Sequence, residues 1–410
     1  MKIAFLVGIF PKLSETFILN QITGLIDRGH DVTILAMEPG EEEHHDDIGR
    51  YNLLSRTKYR DPLPHNRLRR LSNTALEWTK WAQIDPRRGA MSIALSFPFS
   101  SPKLALLMTS KMLRGRTFDI VHCHFGFMGK MAAAIAAMHL FECPFVTSYH
   151  GIDLAFGLRR DEYAQLHRLG SFFTVNSQFS WRRATELGCP EERLALLPVG
   201  LHPDYFAFAE RRIGDDGVVR ILSIARLVRS KGLSIAIEAV YLLKTTGLKI
   251  AYDVVGDGPM RRELEDQVAR CGLHEVVKFH GALVQSNVKR RFDEAHIFVL
   301  PSIPSDDGLE GQGLVLQEAQ SMGLPVIGSD WAGIPEGILD GKSGYLFPAG
   351  DASALADRIR LLIANHRQWP EMGYAGRCFI EAKYDIECLN DRLVVLYKKV
   401  CIEASPASQA

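Results

Sequence analysis

Residues 300 to 319 hold the densest chemistry in the chain. An apolar strand ends at Leu300, a polar and glycine-rich loop follows, and helical spacing begins at Gly313. A helix start presents backbone N–H groups with no partner inside the helix, backed by the positive end of the helix dipole, and that suits a phosphate. Gly313 carries no side chain, so an anion can approach the main chain closely. Glu310 lies in the loop before this helix and Glu318 on its second turn. Carboxylates so spaced can face opposite ends of one ligand, each accepting paired hydrogen bonds from vicinal hydroxyls, a hexose at one end and a ribose at the other. Taken alone, two acids at a helix start are more often solvated charges favoured by the dipole. The strand before, the loop between and the apolar stretch 323–327 after them favour a ligand site.

A second set of charges sits where the first strand of the second half ends. Arg226 and Lys231 fall between that strand and the next helix, on the edge that borders the Glu310 loop in a doubly wound sheet, where two cations can neutralise a diphosphate. Cations at strand ends are also common surface residues, and Arg229 is read as one. Metal help is the usual alternative for such a leaving group. No Asp-x-Asp follows an apolar strand, no histidine–carboxylate cluster has ligand spacing, and the pairs Asp215-Asp216 and Asp306-Asp307 read as solvated loops, so no metal and no cofactor is expected. From the first half come His122, His124, His150 and Asp153, all at carboxyl ends of strands. His122 and His124 share one strand face but lack a third ligand, so one is expected to pack or to orient a loop. Gly151 permits a tight turn that aims His150 across a cleft, and Asp153 either holds that ring or caps the following helix, with the cap favoured.

Composition narrows the classes. The 410 residues suffice for two ordinary domains, and 47% hydrophobic with 23% charged residues is a globular balance. Lys plus Arg equals Asp plus Glu at 48 each, which disfavours nucleic acid as a partner. The 7 cysteines are odd in number and never at CxxC spacing, which points to reduced thiols in a cytoplasmic setting. The apolar start is broken by Pro11 and Lys12 and reads as a first buried strand rather than a signal peptide. The most apolar later stretch, 131–141, is about half the length of a membrane span.

These residues need elements to hold them. Short apolar strands at 2–9, 32–37, 118–124, 144–149, 172–176 and 194–199, with helical spacing between several of them, predict a parallel doubly wound sheet. Ser14 offers an N-cap to the first helix and Gly29 a stop. The insert 38–117, acidic and then basic, predicts helices packed on or protruding from that sheet. After a charged, glycine-rich linker at 202–217 the alternation restarts, with strands at 219–225, 250–255, 276–280, 297–300 and 325–327 and helices at 232–243, 260–271, 287–294 and 313–322. Helical patterns at 352–366 and 385–402 close the chain. The expected architecture is α/β, two Rossmann-like domains facing across a cleft, with ligands at the carboxyl ends of the strands.

In this order the motifs resemble the retaining family-4 glycosyltransferases of the GT-B fold. The matching pieces are the N-terminal strand and loop, 119–124, 149–153, 197–200, Ala225-Arg226 with Lys231-Gly232, 255–259, the Glu310-x7-Glu318 block, 344–347 and a final helix with Tyr384-Asp385 that crosses back to the first domain. The resemblance implies domains at 1–203 (acceptor side), 204–384 (nucleotide-sugar side), a returning helix at 385–403 and a frayed tail at 404–410. It implies Glu310 and His150 at the donor sugar, Glu318 on the ribose, and Arg226 and Lys231 on the diphosphate, helped by amides around Gly313 and Leu314, with Gly256 also on the donor side. Relatives carry a Gly-Gly pair in the first loop; here Gly8, Ser14 and Thr16 stand in that region, and hydroxyls substitute or simply cap the helix. The usual Asn-Gly-Val-Asp before the hinge reads Val199-Gly-Leu-His202.

The expected activity is metal-independent, configuration-retaining transfer of a sugar from a nucleoside diphosphate to an acceptor hydroxyl, in surface-polysaccharide or lipid-linked glycan synthesis. The first loop is similar to that of colanic-acid-type enzymes. Other classes that fit are a sugar-nucleotide epimerase of the same architecture and a silent nucleotide-sugar-binding subunit. A dehydrogenase is disfavoured, since the first loop lacks G-x-G-x-x-G. The insert at 50–112 could dock on anionic lipid at the inner face of the cell membrane or be a solvated decoration.

Overall fold

The computed structural model describes residues 1–12, 15–40, 45–62, 75–77, 79–83, 85–87, 90, 108–114, 116–306 and 308–404. Ser14, the acidic residues 41–43, Arg67, Arg69 and Arg70 of the basic run, residues 91–107, Asp307 and the tail from 405 lie outside these. So does much of the 50–112 segment considered for membrane contact.

The first domain is a seven-stranded parallel sheet in the order β3-β2-β1-β4-β5-β6-β7. Its strands are β1 (Lys2–Phe10), β2 (Asp31–Pro39), β3 (Thr57–Tyr59), β4 (Ile120–His124), β5 (Phe145–Tyr149), β6 (Phe172–Val175) and β7 (Leu194–Leu196). β4 and β5 are buried along their whole length, as near-continuous apolar strands covered by helices on both faces must be. The crossovers include α1 (Thr16–Asp27), α2 (Asp46–Arg50), α3 (Gly126–Ala136), α4 (Ala164–Leu169) and α5 (Gln178–Glu186). The insert was expected to be helical; β3 corrects this, since Thr57, Lys58 and Tyr59 pair with Ile34, Leu35 and Ala36 and extend the sheet by one edge strand. Three residues are too few for strand alternation to show in the sequence.

The second domain repeats the plan with six parallel strands in the order β10-β9-β8-β11-β12-β13. They are β8 (Val219–Ile224), β9 (Ile250–Val255), β10 (Val277–Phe279), β11 (Ile297–Leu300), β12 (Val326–Ser329) and β13 (Gly344–Phe347). The helices α6 (Leu233–Lys244), α7 (Arg261–Arg270), α8 (Gln285–Glu294), α9 (Leu314–Ser321) and α10 (Ala352–Ala364) lie within a few residues of the sequence expectation. α11 (Trp369–Tyr384) was not expected. Its Gly373 and Gly376 lower helix propensity, and tertiary contact explains the first of them: a Cβ on Gly373 would lie 2.2 Å from the Gly323 carbonyl oxygen.

Strand order reverses between β1 and β4 in one sheet and between β8 and β11 in the other, which opens a crevice at the carboxyl end of each. The two crevices face each other because the chain crosses twice at one place. Leu201 bridges to Asp385, its N–H donating to Tyr384 O and its carbonyl accepting from Ile386 N, both at 3.0 Å. Beyond it α12 (Ile386–Glu403) returns to the first domain. Leu389, Leu393, Tyr397 and Val400 recur at helical spacing and are buried with Phe5, Ile18 and Ile22. Arg28 adds ion pairs to Glu387 (3.0 Å) and Asp391 (2.7 Å). Among the described residues no helix is long and apolar enough to cross a membrane.

Candidate active site

The second-domain half of the site is built on charge. Lys231, ending the turn after β8, forms an ion pair with Glu310, and the Ser302 hydroxyl donates to the same carboxylate oxygen at 3.4 Å. The two side chains are 21% and 13% exposed, so the pair is partly desolvated and held apart from bulk water. The lysine expected on a diphosphate and the glutamate expected on a sugar therefore touch each other. Arg226 is exposed in the loop that follows β8.

Gly313 adopts the left-handed conformation, φ 75°, as the N-cap of α9, and Leu314 is that helix's first residue. With no side chain on the capping residue, the leading N–H groups of α9 are left to a ligand or to water. Glu318, on the same helix, is half-buried, and desolvation pushes its carboxyl up to about 7. Gly256, expected on the donor side, has its N–H donating to Gly281 O at 2.8 Å, and a Cβ on it would lie 1.9 Å from the Ala225 carbonyl oxygen, so its missing side chain makes room for the backbone after β8. Gly8 lies inside β1 rather than in the following loop, because the strand runs on to Phe10. Thr16 opens α1, whose N-cap is Glu15.

The first-domain half is built on neutral histidines. His124 Nδ1 lies 3.0 Å from His150 Nε2. Phe17 and Phe125 hold the His150 ring from two sides, at centroid distances of 4.6 and 4.8 Å. His122 is fully partnered, Nδ1 with the Tyr397 hydroxyl at 2.5 Å and Nε2 with Ser148 Oγ at 2.7 Å. Burial depresses all three rings, His122 and His150 to about 3 and His124 well below its ordinary value, so the cluster carries no charge at neutral pH. The strand pair thus divides its work: His122 ties the sheet to α12, and His124 meets His150.

Asp153 does not hold the His150 ring. Its carboxylate accepts from the backbone N–H of His150 and Gly151, each at 2.9 Å, and of Gly126 at 2.8 Å. It therefore fixes the β5 turn and caps α3, the helix before it rather than the one after it. Burial raises its carboxyl to about 6, against the pull of these backbone bonds. Gly151 sits at φ 116° with the second domain so near that a Cβ would lie 3.0 Å from Gly311 N and 3.1 Å from Leu309 O. The turn carrying His150 and the loop carrying Glu310 are in contact.

Two second-domain residues missed in the sequence join the halves. Gln312 reads the Val199 backbone in both directions, its Nε2 donating to Val199 O at 2.8 Å and its Oε1 accepting from Val199 N at 2.7 Å. The Glu336 carboxylate accepts from Gln178 N at 2.8 Å and Phe179 N at 3.0 Å, capping α5 from across the cleft. Both bind main chain, which leaves no partner side chain to recognise; only the position of Gln312 between Glu310 and Gly313 hinted at a role. Toward the hinge the cleft opens into a cavity of about 700 Å³. Thr16, Asn20 and Asp27 of α1, Asp46 and Asp47 of α2, and Tyr205 of the linker line it. Tyr205 connects it to the Glu318 end: its phenol is raised by burial first and then by the charges of Asp46, Glu318 and Asp47. Among the described residues no group of three or more His, Cys, Asp or Glu is placed to hold a metal ion.

Comparison with known proteins converges on one family. Residues 14–205 match the profile of Glycosyltransferase Family 4, and residues 209–378 that of Glycosyl transferases group 1. The chain is 34% identical to the putative colanic acid biosynthesis glycosyltransferase WcaL of Salmonella typhimurium, over 88% of this chain and 90% of that one. It is 33% identical to the amylovoran biosynthesis glycosyltransferase AmsK of Erwinia amylovora, over 94% and 96%. In fold it is similar to Anabaena HepE in complex with UDP and glucose, with a TM-score of 0.74 and 17% identity over 97% of this chain and 100% of that one.

Proposed function

We propose, for a chain that belongs to the family 4 (group 1) glycosyltransferases, transfer of a sugar from a nucleoside-diphosphate sugar to a hydroxyl of a growing surface polysaccharide or lipid-linked glycan, with retention of configuration and without a metal ion. The family assignment makes the chain a glycosyltransferase; WcaL and AmsK, named for colanic acid and amylovoran synthesis, support the polysaccharide setting. The observation that supports the site reading is the contact between the His150–Gly151 turn and the Leu309–Gly311 loop, the loop whose Glu310 pairs with Lys231.

The residues divide the reaction as follows. Lys231, Arg226 and the α9 amides at Gly313 and Leu314 hold the diphosphate, and their charge takes the place of a metal. Glu318 accepts the ribose hydroxyls, and Glu310 and His150 hold the sugar. The anomeric carbon–oxygen bond breaks with its electron pair passing to the phosphate oxygen. The acceptor oxygen bonds the same face of the anomeric carbon, and its proton goes to that departing phosphate oxygen. No protein nucleophile enters, so stabilising the leaving group is the main catalytic effect. Docking of the domains about the Leu201–Asp385 crossing excludes water from the reacting carbon.

The test is a panel of UDP-, GDP-, dTDP- and ADP-sugars, reading release of the nucleoside diphosphate and the anomeric configuration of the product, with Glu310→Ala in parallel. The wild type is expected to consume at least one donor with retention. The variant is expected to lose turnover yet bind the free nucleoside diphosphate at least as well, because Lys231 is released. Full turnover by Glu310→Ala overturns the assignment.

A further inference from the structure

A short loop of the second domain, residues 330–336 after β12, touches the first domain, the domain crossing and the Glu310 loop together. Its own conformation is tightly determined. Asp330 N donates to Phe347 O at 2.7 Å, Trp331 N donates to Ser329 O at 2.8 Å, and Ile334 is fully buried in the core beneath. Ala332 stands at φ 53°, a left-handed conformation that an alanine keeps only where its surroundings impose it.

Toward the first domain this loop presents two side chains. The Trp331 ring lies against Phe156 and Phe179, at centroid distances of 5.8 and 6.2 Å, and the Glu336 carboxylate binds the first amides of α5. Phe156 follows His150 by six residues, and the Arg183 guanidinium of α5 lies over its ring at 4.7 Å. Toward the crossing, the Glu336 carbonyl oxygen accepts from Lys383 Nζ at 2.7 Å and from the Tyr384 hydroxyl at 3.0 Å, just before Asp385. Toward the site, Gly333 N donates to the Glu310 carbonyl oxygen at 3.0 Å. A Cβ on Gly333 would lie 1.9 Å from Gly311 O, and a Cβ on Gly311 would lie 2.6 Å from His150 O. Gly311 is therefore packed against both Gly333 of its own domain and His150 of the other, and neither glycine has room for a side chain.

We propose that loop 330–336 couples docking of the first domain to the position of Glu310, with Trp331 and Glu336 as positioning residues that act through the Gly333–Glu310 bond. The loop is too short and too closely packed to shift at one end alone, so loss of its first-domain partners is felt at the Glu310 backbone. With the domains docked, the loop is held from three sides and Glu310 is fixed at the donor sugar. With the domains apart, Trp331 and Glu336 lose their partners and the Glu310 backbone loosens, so the donor is activated only where water is excluded. The role at the donor rests on the proposed function; the mechanical link is measurable without it.

The test leaves the loop itself unaltered and removes its ring partners from the opposite domain, as Phe156→Ala/Phe179→Ala in the full chain. Hydrogen exchange of the Gly333 amide, which bonds Glu310, is expected to become several-fold faster than in the wild type. Unchanged exchange at Gly333 overturns the coupling. In the donor assay this double variant is expected to lower kcat roughly tenfold, with affinity for the free nucleoside diphosphate unchanged. A loss of that affinity overturns the proposal, since the second domain alone would then be damaged. Trp331→Phe keeps a ring and is expected to retain most of the turnover, whereas Trp331→Ala is not. In a Glu310→Ala background the phenylalanine substitutions are expected to lower the residual turnover no further. The same fractional loss in both backgrounds overturns the action through Glu310. If Gly333 responds as expected but no nucleotide sugar is consumed, the donor reading has failed and the mechanical coupling stands.

Discussion

The two halves of the cleft use opposite physical means. The proposed donor side in the second domain is built on charge: Lys231 paired with Glu310, Arg226 exposed in the loop after β8, and Glu318 with its carboxyl raised to about 7. The first domain offers neutral, mutually bonded rings, with His122 and His150 depressed to about 3 by burial. Charge attracts a diphosphate and stabilises its departure, and it tolerates some motion because Coulomb forces fall off slowly. Orientation needs a rigid, desolvated frame, and hydrogen-bonded buried rings provide that without repelling a neutral sugar. The difference implies that binding energy and geometry are separable between the domains.

Variants can break that separation. The largest effect is expected for Lys231→Ala, which removes a cation proposed to hold the leaving group and leaves Glu310 with only its long hydrogen bond from Ser302; turnover should fall roughly a hundred- to a thousandfold. Loss of less than about threefold would remove Lys231 from the chemistry. His150→Ala is expected next, at roughly ten- to a hundredfold in kcat with nucleoside diphosphate affinity intact. A matching loss of affinity would show that the first domain also binds the diphosphate.

Glu318 sharpens the comparison through pH. In the proposed role Glu318 accepts both ribose hydroxyls only when ionised, so nucleoside diphosphate affinity is expected to rise more steeply as pH is raised through about 7 in the wild type than in Glu318→Gln, which keeps only the rise due to the ligand's own phosphate. Stability runs the other way. The folded-state value lies above the unfolded one, so stability is lost as pH rises between the unfolded value and about 7. The melting temperature of Glu318→Gln should exceed that of the wild type by a few degrees above about pH 7, and the gap should vanish in acid. A pH-independent gap would contradict the burial of that carboxyl. The smallest effect is expected for Glu336→Ala, which removes the cross-cleft cap on α5 and should lower kcat by about threefold.

Legibility in the sequence followed the reach of each interaction. Glu310, Gly313 and Glu318 were visible because one strand, one loop and one helix carry them all. Lys231 was visible as a cation at a strand end, but its pairing with Glu310 spans 79 residues of chain and shows only in space. The same holds for His124 and His150: the sequence offered a His-x-His pair and a His-Gly turn, and only the β4–β5 pairing made them neighbours. Gln312 and Glu336 were illegible because main chain has no sequence signature as a partner. β3 was too short to show a period. α11 was masked by Gly373, which is required by packing against Gly323 rather than by local preference.

Calorimetry with free nucleoside diphosphates, run on the wild type, the Arg226→Ala/Lys231→Ala double variant and His150→Ala, tests the division between the domains most directly. The account predicts that the double variant loses most of the affinity while His150→Ala binds like the wild type. Unchanged affinity in the double variant, or an equal loss in His150→Ala, would contradict it.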